Sequence, residues 1–448
     1  MNGYQLNMCS SLVMMRRVCL TSRAIRFLVP FVSVCRLTAG LGAQDQTPDS
    51  SQPPVHQHLP AVPDEVAAAW SWTTDGNAFF GYNYQKRLFA DFWAWESQNW
   101  GMVSADRRVG PGRLSVRGMM SLEPWTIGTL VYAKLDGPFG GQHLATGGSP
   151  QVFQTGESFQ GAPIINYQHP HDLLMELGAA YRVDRGGAKY TVGASVVGAP
   201  ALGPAAFMHR QSARNNPQAP LTHHYMDSTH ISYGVLTAGV EAGPMMFETS
   251  AFRGAEPDEN RLNVEAPHLD SWSGRATWRR GPWSAQFSGG HLHEPEWFEP
   301  VDVTRLTASI TYHGTVASRP LAAMVAWGQN REPSLNIALD GYLAEWDLRV
   351  TASDTIYGRA ESVLKEIFGL GVHPRGLLNH PRNFSHIDAL TLGYVRDIPG
   401  VTWGRVGIGA DITGYRTSPD LIEYFGSPLS VHVFVRWRPS PVSAAHVH

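Results

Sequence analysis

The chain has 448 residues, of which only 16% are charged and 10% aromatic, with 45 glycines and a formal charge of -3. After the first 45 residues no apolar run reaches the ~18 residues that a membrane-crossing helix needs. The acidic balance argues against a nucleic-acid surface, and a glycine- and aromatic-rich chain with few long amphipathic stretches reads as all-β.

The chain opens on an export signal. Arg16, Arg17, Arg23 and Arg26 precede the apolar run Phe27 to Cys35, and a small-residue stretch ends at Leu41-Gly42-Ala43. Removal of residues 1–43 takes five Arg and no acid, moving the formal charge from -3 to -8. It also takes Cys9, Cys19 and Cys35, the only three cysteines, so a metal site in the mature protein must draw on His, Met, Asp or Glu. Residues 44–75 form a Pro-, Gln- and Ser-rich extension carrying His56 and His58. The ordered body is expected over 76–438, with a tail at 439–448.

From Gly76 onward the chain divides into about sixteen segments of ~10 residues that alternate apolar with polar or small side chains. In Arg113 to Leu122, Leu114, Val116, Met120 and Leu122 oppose Arg113, Ser115, Arg117 and Ser121. Ser271 to Arg279, Trp283 to Gly290, Arg305 to His313 and Val431 to Arg438 repeat the pattern. Short turns are expected at Glu123-Pro124, Asp184 to Gly187, Ala242 to Pro244, Arg280 to Pro282, Ser318 to Pro320, Ala352-Ser353 and Ile398 to Gly400. Long, Pro-rich loops lie between them: Asp91 to Gly112, Asp136 to His171, Ala199 to Ser228, Gly254 to Asp270, His291 to Asp302, Gly328 to Asn336, Lys365 to Ser385 and Gly414 to Pro428. Sorting of loop length by end predicts an antiparallel transmembrane β-barrel of about sixteen strands, with long outer loops and short periplasmic turns. Its apolar strand faces would meet lipid, its polar faces the lumen, and its tryptophans the interfaces. A large secreted β-sandwich is the alternative.

The chain resembles Gram-negative outer-membrane β-barrels of porin-like size. More narrowly, Ile164 to Tyr181, Phe207 to Val240 and Glu256 to Arg275 resemble a poorly characterised family of such barrels that accompanies heavy-metal efflux systems. The resemblance covers most of the chain after Gly76. It implies the outer membrane as location, leaves an oligomer open (a trimer as in porins) without support from the sequence, and carries over no catalytic residues.

Thirteen of the nineteen histidines fall in or beside the long loops. One group is His169, His171 and Asp172. A second is His223, His224, Asp227 and His230, with Met208, His209 and Met226 nearby. A third is His291, His293 and Glu294. On extended chain, residues two apart share a face, so His169 with His171, or His291 with His293, could chelate together. Imidazole with carboxylate suits Zn(II), Cu(II) or Ni(II), and adjacent thioether tilts the choice to copper. The first two groups are the candidate metal site, and hairpin order makes their loops neighbours. The competing reading is a set of structural braces.

Arg113, Arg117, Arg275, Arg305, Arg359, Glu361 and Arg405 are expected on inward faces, either as a selectivity ring in a water-filled pore or as a salt-bridged, filled interior. Asp227, Ser228 and His230 supply hydrolase residue types, but no G-x-S-x-G elbow exists, and three residues so close in sequence rarely reach relay geometry. The functional expectation is a barrel that passes or binds small solutes, with metal ions as the sharper version. A barrel-borne hydrolase and a purely structural, filled barrel are the alternatives.

Overall fold

A computed structural model describes residues 68–88, 90–128, 131–135, 141–145, 148–159, 162–296, 300–334, 336–366 and 384–439. The expected export signal, most of the expected extension, the C-terminal tail, and the loop histidines His373 and His380 lie outside the described residues.

The wall begins with β1 (Ser71–Lys86), five residues before the expected boundary at 76. It continues through β2 and β3 (Ala90–Glu96 and Asn99–Val109), which form one strand broken at 97–98, and β4 (Gly112–Met120). Four elements are inserted next: β5 (Val131–Leu135), which pairs with β2, β6 (Gly141–Ala145), which pairs with β5, and a separate hairpin of β7 (Ser149–Phe159) and β8 (Ala162–Gln168). The wall resumes with β9 (Leu174–Arg185), β10 (Ala188–Gly198), β11 (Ser232–Ala242), β12 (Met245–Phe252), β13 (Ser271–Arg280) and β14 (Trp283–Leu292). It ends with β15 (Val303–Val316), β16 (Arg319–Glu332), β17 (Ile337–Arg349), β18 (Asp354–Glu366), β19 (Phe384–Asp397), β20 (Gly404–Thr417) and β21 (Leu429–Pro439).

Every wall pairing is antiparallel. β4 skips the inserted elements to pair with β9, and β21 returns to β1 from Lys86↔Leu429 to Ala78↔Trp437. Counting β2 and β3 as one, sixteen strands close the barrel on itself. Closure matters because every strand N–H and C=O must find a partner where there is no water.

The predicted alternation decides the two faces. Phe247, Phe287, Leu392, Ile408 and Val433 stand exposed on the outside, while their neighbours in sequence point inward and are buried or half-buried. Exposed tryptophans mark both rims: Trp72, Trp283 and Trp403 at the short-turn end, Trp95, Trp125 and Trp272 at the long-loop end. With Trp403 65% and Trp272 61% exposed, burial in a protein core is ruled out and an aromatic girdle at each interface fits. The protein is a bilayer-spanning barrel of the outer-membrane type.

One hairpin corrects the sequence reading. Residues 91–112 are mostly strand, not a long loop, and the tight turn is Gly110-Pro111, with Gly110 at φ +56°. Glu123-Pro124 is no short turn either; it opens the single-turn helix α1 (Glu123–Thr126) at the long-loop end. β2 and β3 keep one register on β1 across 97–98, with Ala94 and Glu96 before it and Met102 and Asp106 after it turned inward. Proline is as much at home in the first turn of a helix as in a β-turn, so its signal was ambiguous.

The long segment 199–231 does not stand above the barrel; it folds down into it and is buried almost throughout. Its single-turn helix α2 (His223–Met226) seats Tyr225 and Met226 in an apolar cluster with Val152 and Phe153 of β7 and with wall residues Met324, Leu343, Val363 and Ile387. The seat is a notch: Gly328 and Gly341 face each other across β16 and β17, directly beneath Tyr225. A Cβ on Gly328 would lie 2.2 Å from the Tyr225 carbonyl oxygen. Lower down, Asn215 donates to Asp347 at 2.5 Å and accepts from Arg436, which pins the tip of the segment near the short-turn end.

Candidate functional site

The inward charges expected to line a pore are mostly consumed in contacts with the folded-in segment. Arg117 pairs with Glu176 at 3.0 Å. Arg275 donates to Glu248 at 2.6 and 2.8 Å and to the Gly203 carbonyl. Arg305 donates to the Ser228 and Thr229 hydroxyls and to Asn330. Arg359 donates to Glu345 and the Gln218 carbonyl, and Glu361 accepts from the Thr222 amide and hydroxyl. Arg113 pairs with Asp184, partly exposed, and Arg405 stands exposed at the short-turn end of β20. The interior is a buried ionic network around a lumenal segment, and its centre is Arg210. The Arg210 guanidinium reaches Glu345 at 2.7 Å and Asp227 at 2.9 Å, all three side chains being almost wholly buried.

Asp227 connects that network to the histidines. Its carboxylate accepts from His223 Nδ1 at 3.0 Å, and its backbone carbonyl accepts from His230 Nδ1 at 2.9 Å. Burial pushes the Asp227 carboxyl up, opposed by Arg210 and His230. From the other long loop, His171 joins them. Glu123, in α1, accepts from both the His171 amide at 2.9 Å and its Nδ1 at 2.6 Å. Glu123 was missed from sequence because it lay in an expected turn.

The rings then form a file. The centroids of His171 and His230 are 5.3 Å apart, those of His230 and His223 5.2 Å, and those of His223 and His224 5.5 Å. Because Nδ1 of His171, His223 and His230 each faces an acceptor, each must carry its proton there, which leaves the Nε2 lone pair for another partner. The Nε2 atoms of His171 and His230 are buried and have no hydrogen-bond partner. Burial holds His223 and His230 well below the usual imidazole range, with neighbouring imidazoles adding to the effect, so both are neutral at neutral pH.

The remaining predicted residues stand apart. His169 is half-buried, with Nδ1 3.0 Å from the Pro170 carbonyl, and is not in the file. Asp172 accepts from the Tyr233 hydroxyl at 2.5 Å and pairs with Arg261 at 3.3 Å, bracing the loop at 253–270. Met226 and Met208 pack in apolar clusters, which removes the reason for favouring copper through sulfur. Ser228 accepts from Arg305, while His230 turns Nδ1 to the Asp227 carbonyl, so no serine–histidine relay is assembled.

His291 and His293 share Asp302, at 3.7 and 2.8 Å, on the exposed rim. The hydrogen bond to Asp302 raises His293 above the ordinary imidazole range. A raised folded value means that this brace is fully present below the unfolded imidazole pKa and is lost as pH rises through the folded one. Asp302→Asn should return the His293 titration, followed by histidine C2-proton resonances, to the ordinary value near 6.5; an unmoved titration would refute the brace.

Among the described residues, only one set of three potential ligand groups has its ligand atoms all within 4.8 Å of one another: His224, Glu256 and Glu296. The imidazole file is spread wider. At its other end His171 lines a lumenal cavity of about 40 Å³ that Trp100, Glu123, Gln168, Phe207 and Gln218 also border.

No family model and no curated protein matches the chain. Solved structures with a similar architecture include the outer membrane channel DcaP of Acinetobacter baumannii (8% identical, TM-score 0.46, covering 85% of this chain and 99% of that one). The anion-selective porin from Comamonas acidovorans is another (10%, 0.44, 83% and 100%), as is OmpT of Vibrio cholerae (9%, 0.42, 84% and 100%).

Proposed function

We propose that this is an outer-membrane barrel, solvated by lipid on its apolar face, whose lumen is closed by its own loops and which captures transition-metal ions on the imidazole file. The observation that supports this reading is the meeting of His171 with His223 and His230, from two separate loops, each ring held through Nδ1. Metal-binding histidines are characteristically fixed in this way by a carboxylate or carbonyl behind the ring. With metal–nitrogen bonds of ~2.0–2.1 Å, two tetrahedral ligands place their ring centroids about 5 Å apart, which is the spacing along the file. Binding draws the Nε2 atoms inward from their present separation. The donors are neutral nitrogens with nearby carboxylates, a set for Zn(II), Cu(II) or Ni(II) rather than Cu(I).

The file runs from the long-loop mouth at His224 to the lumenal cavity at His171, so an ion entering outside would emerge inside the barrel. Calorimetry with Zn(II) and Cu(II) on the full chain in detergent tests the proposal. His171→Ala with His223→Ala should weaken binding at least tenfold, about 1.4 kcal/mol. The tail histidines are common to both proteins, so unchanged affinity and stoichiometry would sink the reading.

A further inference from the structure

We infer that His224, Glu256 and Glu296 form a second, separate cation site at the mouth, selective for divalent ions, which loads the imidazole file. The three come from different segments: His224 from the folded-in segment, Glu256 from the loop at 253–270, and Glu296 from the loop after β14. Their approach is built rather than incidental. The Glu256 amide donates to the Pro295 carbonyl at 3.0 Å, which ties the two loops together beside their carboxylates. Asn330 on β16 donates to the His224 carbonyl at 2.9 Å, which fixes the histidine backbone to the wall.

His224 Nδ1 lies 3.4 Å from Glu296 Oε1 and 4.0 Å from Glu256 Oε1. Two ligands on one tetrahedral metal, each bonded at ~2.0–2.2 Å, sit about 3.3–3.6 Å apart, so the two contacts of His224 need little contraction. An ordinary ion pair would leave Nδ1 hydrogen-bonded. Instead Nδ1 is buried without a hydrogen-bond partner, although His224 is only 9% exposed. Arg305 is near enough to act on both carboxylates, but its guanidinium donates to Ser228, Thr229 and Asn330. It moderates the negative charge of the pair.

One imidazole and two carboxylates make a harder donor set than the imidazole file, and two anionic ligands favour a dication over a monovalent ion. Access is one-sided. The Glu296 side chain is 26% exposed and Glu256 only 6%, so a hydrated ion meets Glu296 first. From there His224, whose ring touches His223, is the bridge to the file. The capture step rests on this site alone; only the onward transfer depends on the metal reading of the file.

The test is Zn(II) calorimetry on the full chain in detergent, comparing wild type with Glu256→Gln/Glu296→Gln and with His171→Ala/His223→Ala. Two binding events are expected in wild type. The glutamine pair should abolish one event or weaken it at least tenfold and keep the other, and the alanine pair should do the reverse. If both events survive the glutamine substitutions, the outer site is overturned while the file stands. If both survive the alanine substitutions, the file is overturned while the outer site stands. Should the glutamine protein fail to fold, His224→Gln leaves both carboxylates and their Arg305 neighbour in place and must remove the same event. Retention of that event in folded His224→Gln refutes the proposal.

Discussion

Arg210→Ala is expected to release the lumenal segment and open the barrel. Arg210 is buried between Asp227 and Glu345, at 2.9 and 2.7 Å. Glu345 keeps Arg359 at 3.3 Å, but Asp227 loses its guanidinium while remaining in the interior. Removing one partner of a buried pair costs about 3–5 kcal/mol, because the other charge is left uncompensated. The wall strands do not depend on this contact. The cost therefore falls on the closed position of 199–231 and shifts its closed-to-open ratio by roughly two orders of magnitude or more. Planar-bilayer recordings should show conductance steps at least tenfold more frequent than in wild type, with new protease cleavage inside 199–231. Arg210→Lys keeps the charge but loses the planar fork that spans two carboxylates, and should fall between. A conductance record and cleavage pattern identical to wild type would refute the role of Arg210 as the latch.

Gly328→Val should weaken metal binding without touching any proposed ligand. The new Cβ would meet the Tyr225 carbonyl oxygen at 2.2 Å and the Met226 side chain at 2.7 Å, and a backbone oxygen cannot rotate away. Valine suits a strand, so the wall itself should tolerate it. The strain is relieved by lifting α2, which carries His223 and His224. Overpacking of this kind costs about 1–3 kcal/mol. We expect metal affinity to fall by one to two orders of magnitude in calorimetry while the barrel keeps its resistance to unfolding in detergent. Equal affinity in the two proteins would show that the notch does not position the histidines.

Part of the proposed site is legible in the sequence. The grouping of His223, His224, Asp227 and His230, and of His169, His171 and Asp172, is visible in the chain, as is the adjacency of their loops. Which of them matter was not. His171 joins the file because Glu123 turns it inward, and Asp172 is drawn off by Tyr233 and Arg261; two residues next to each other in sequence acquire unrelated roles. Glu256 and Glu296 carried no signal beyond lying in polar loops, since nothing local marks a carboxylate that a hydrogen bond to Pro295 will bring beside another loop's.

What the sequence determined by itself is the wall. Period-two alternation is a local property, each strand repeats it, and the requirement that backbone polar groups be paired in lipid leaves a closed barrel as the solution. It failed where 91–112, expected as a long loop, forms β2 and β3, and where Glu123-Pro124 opens a helix instead of a turn. What the tertiary structure alone decided is the inside. Whether Arg305, Arg359 and Glu361 line water or grip a folded-in segment depends on where 199–231 goes. That segment's position follows from a glycine notch, an apolar seat and a buried arginine contributed by strands far away in the chain.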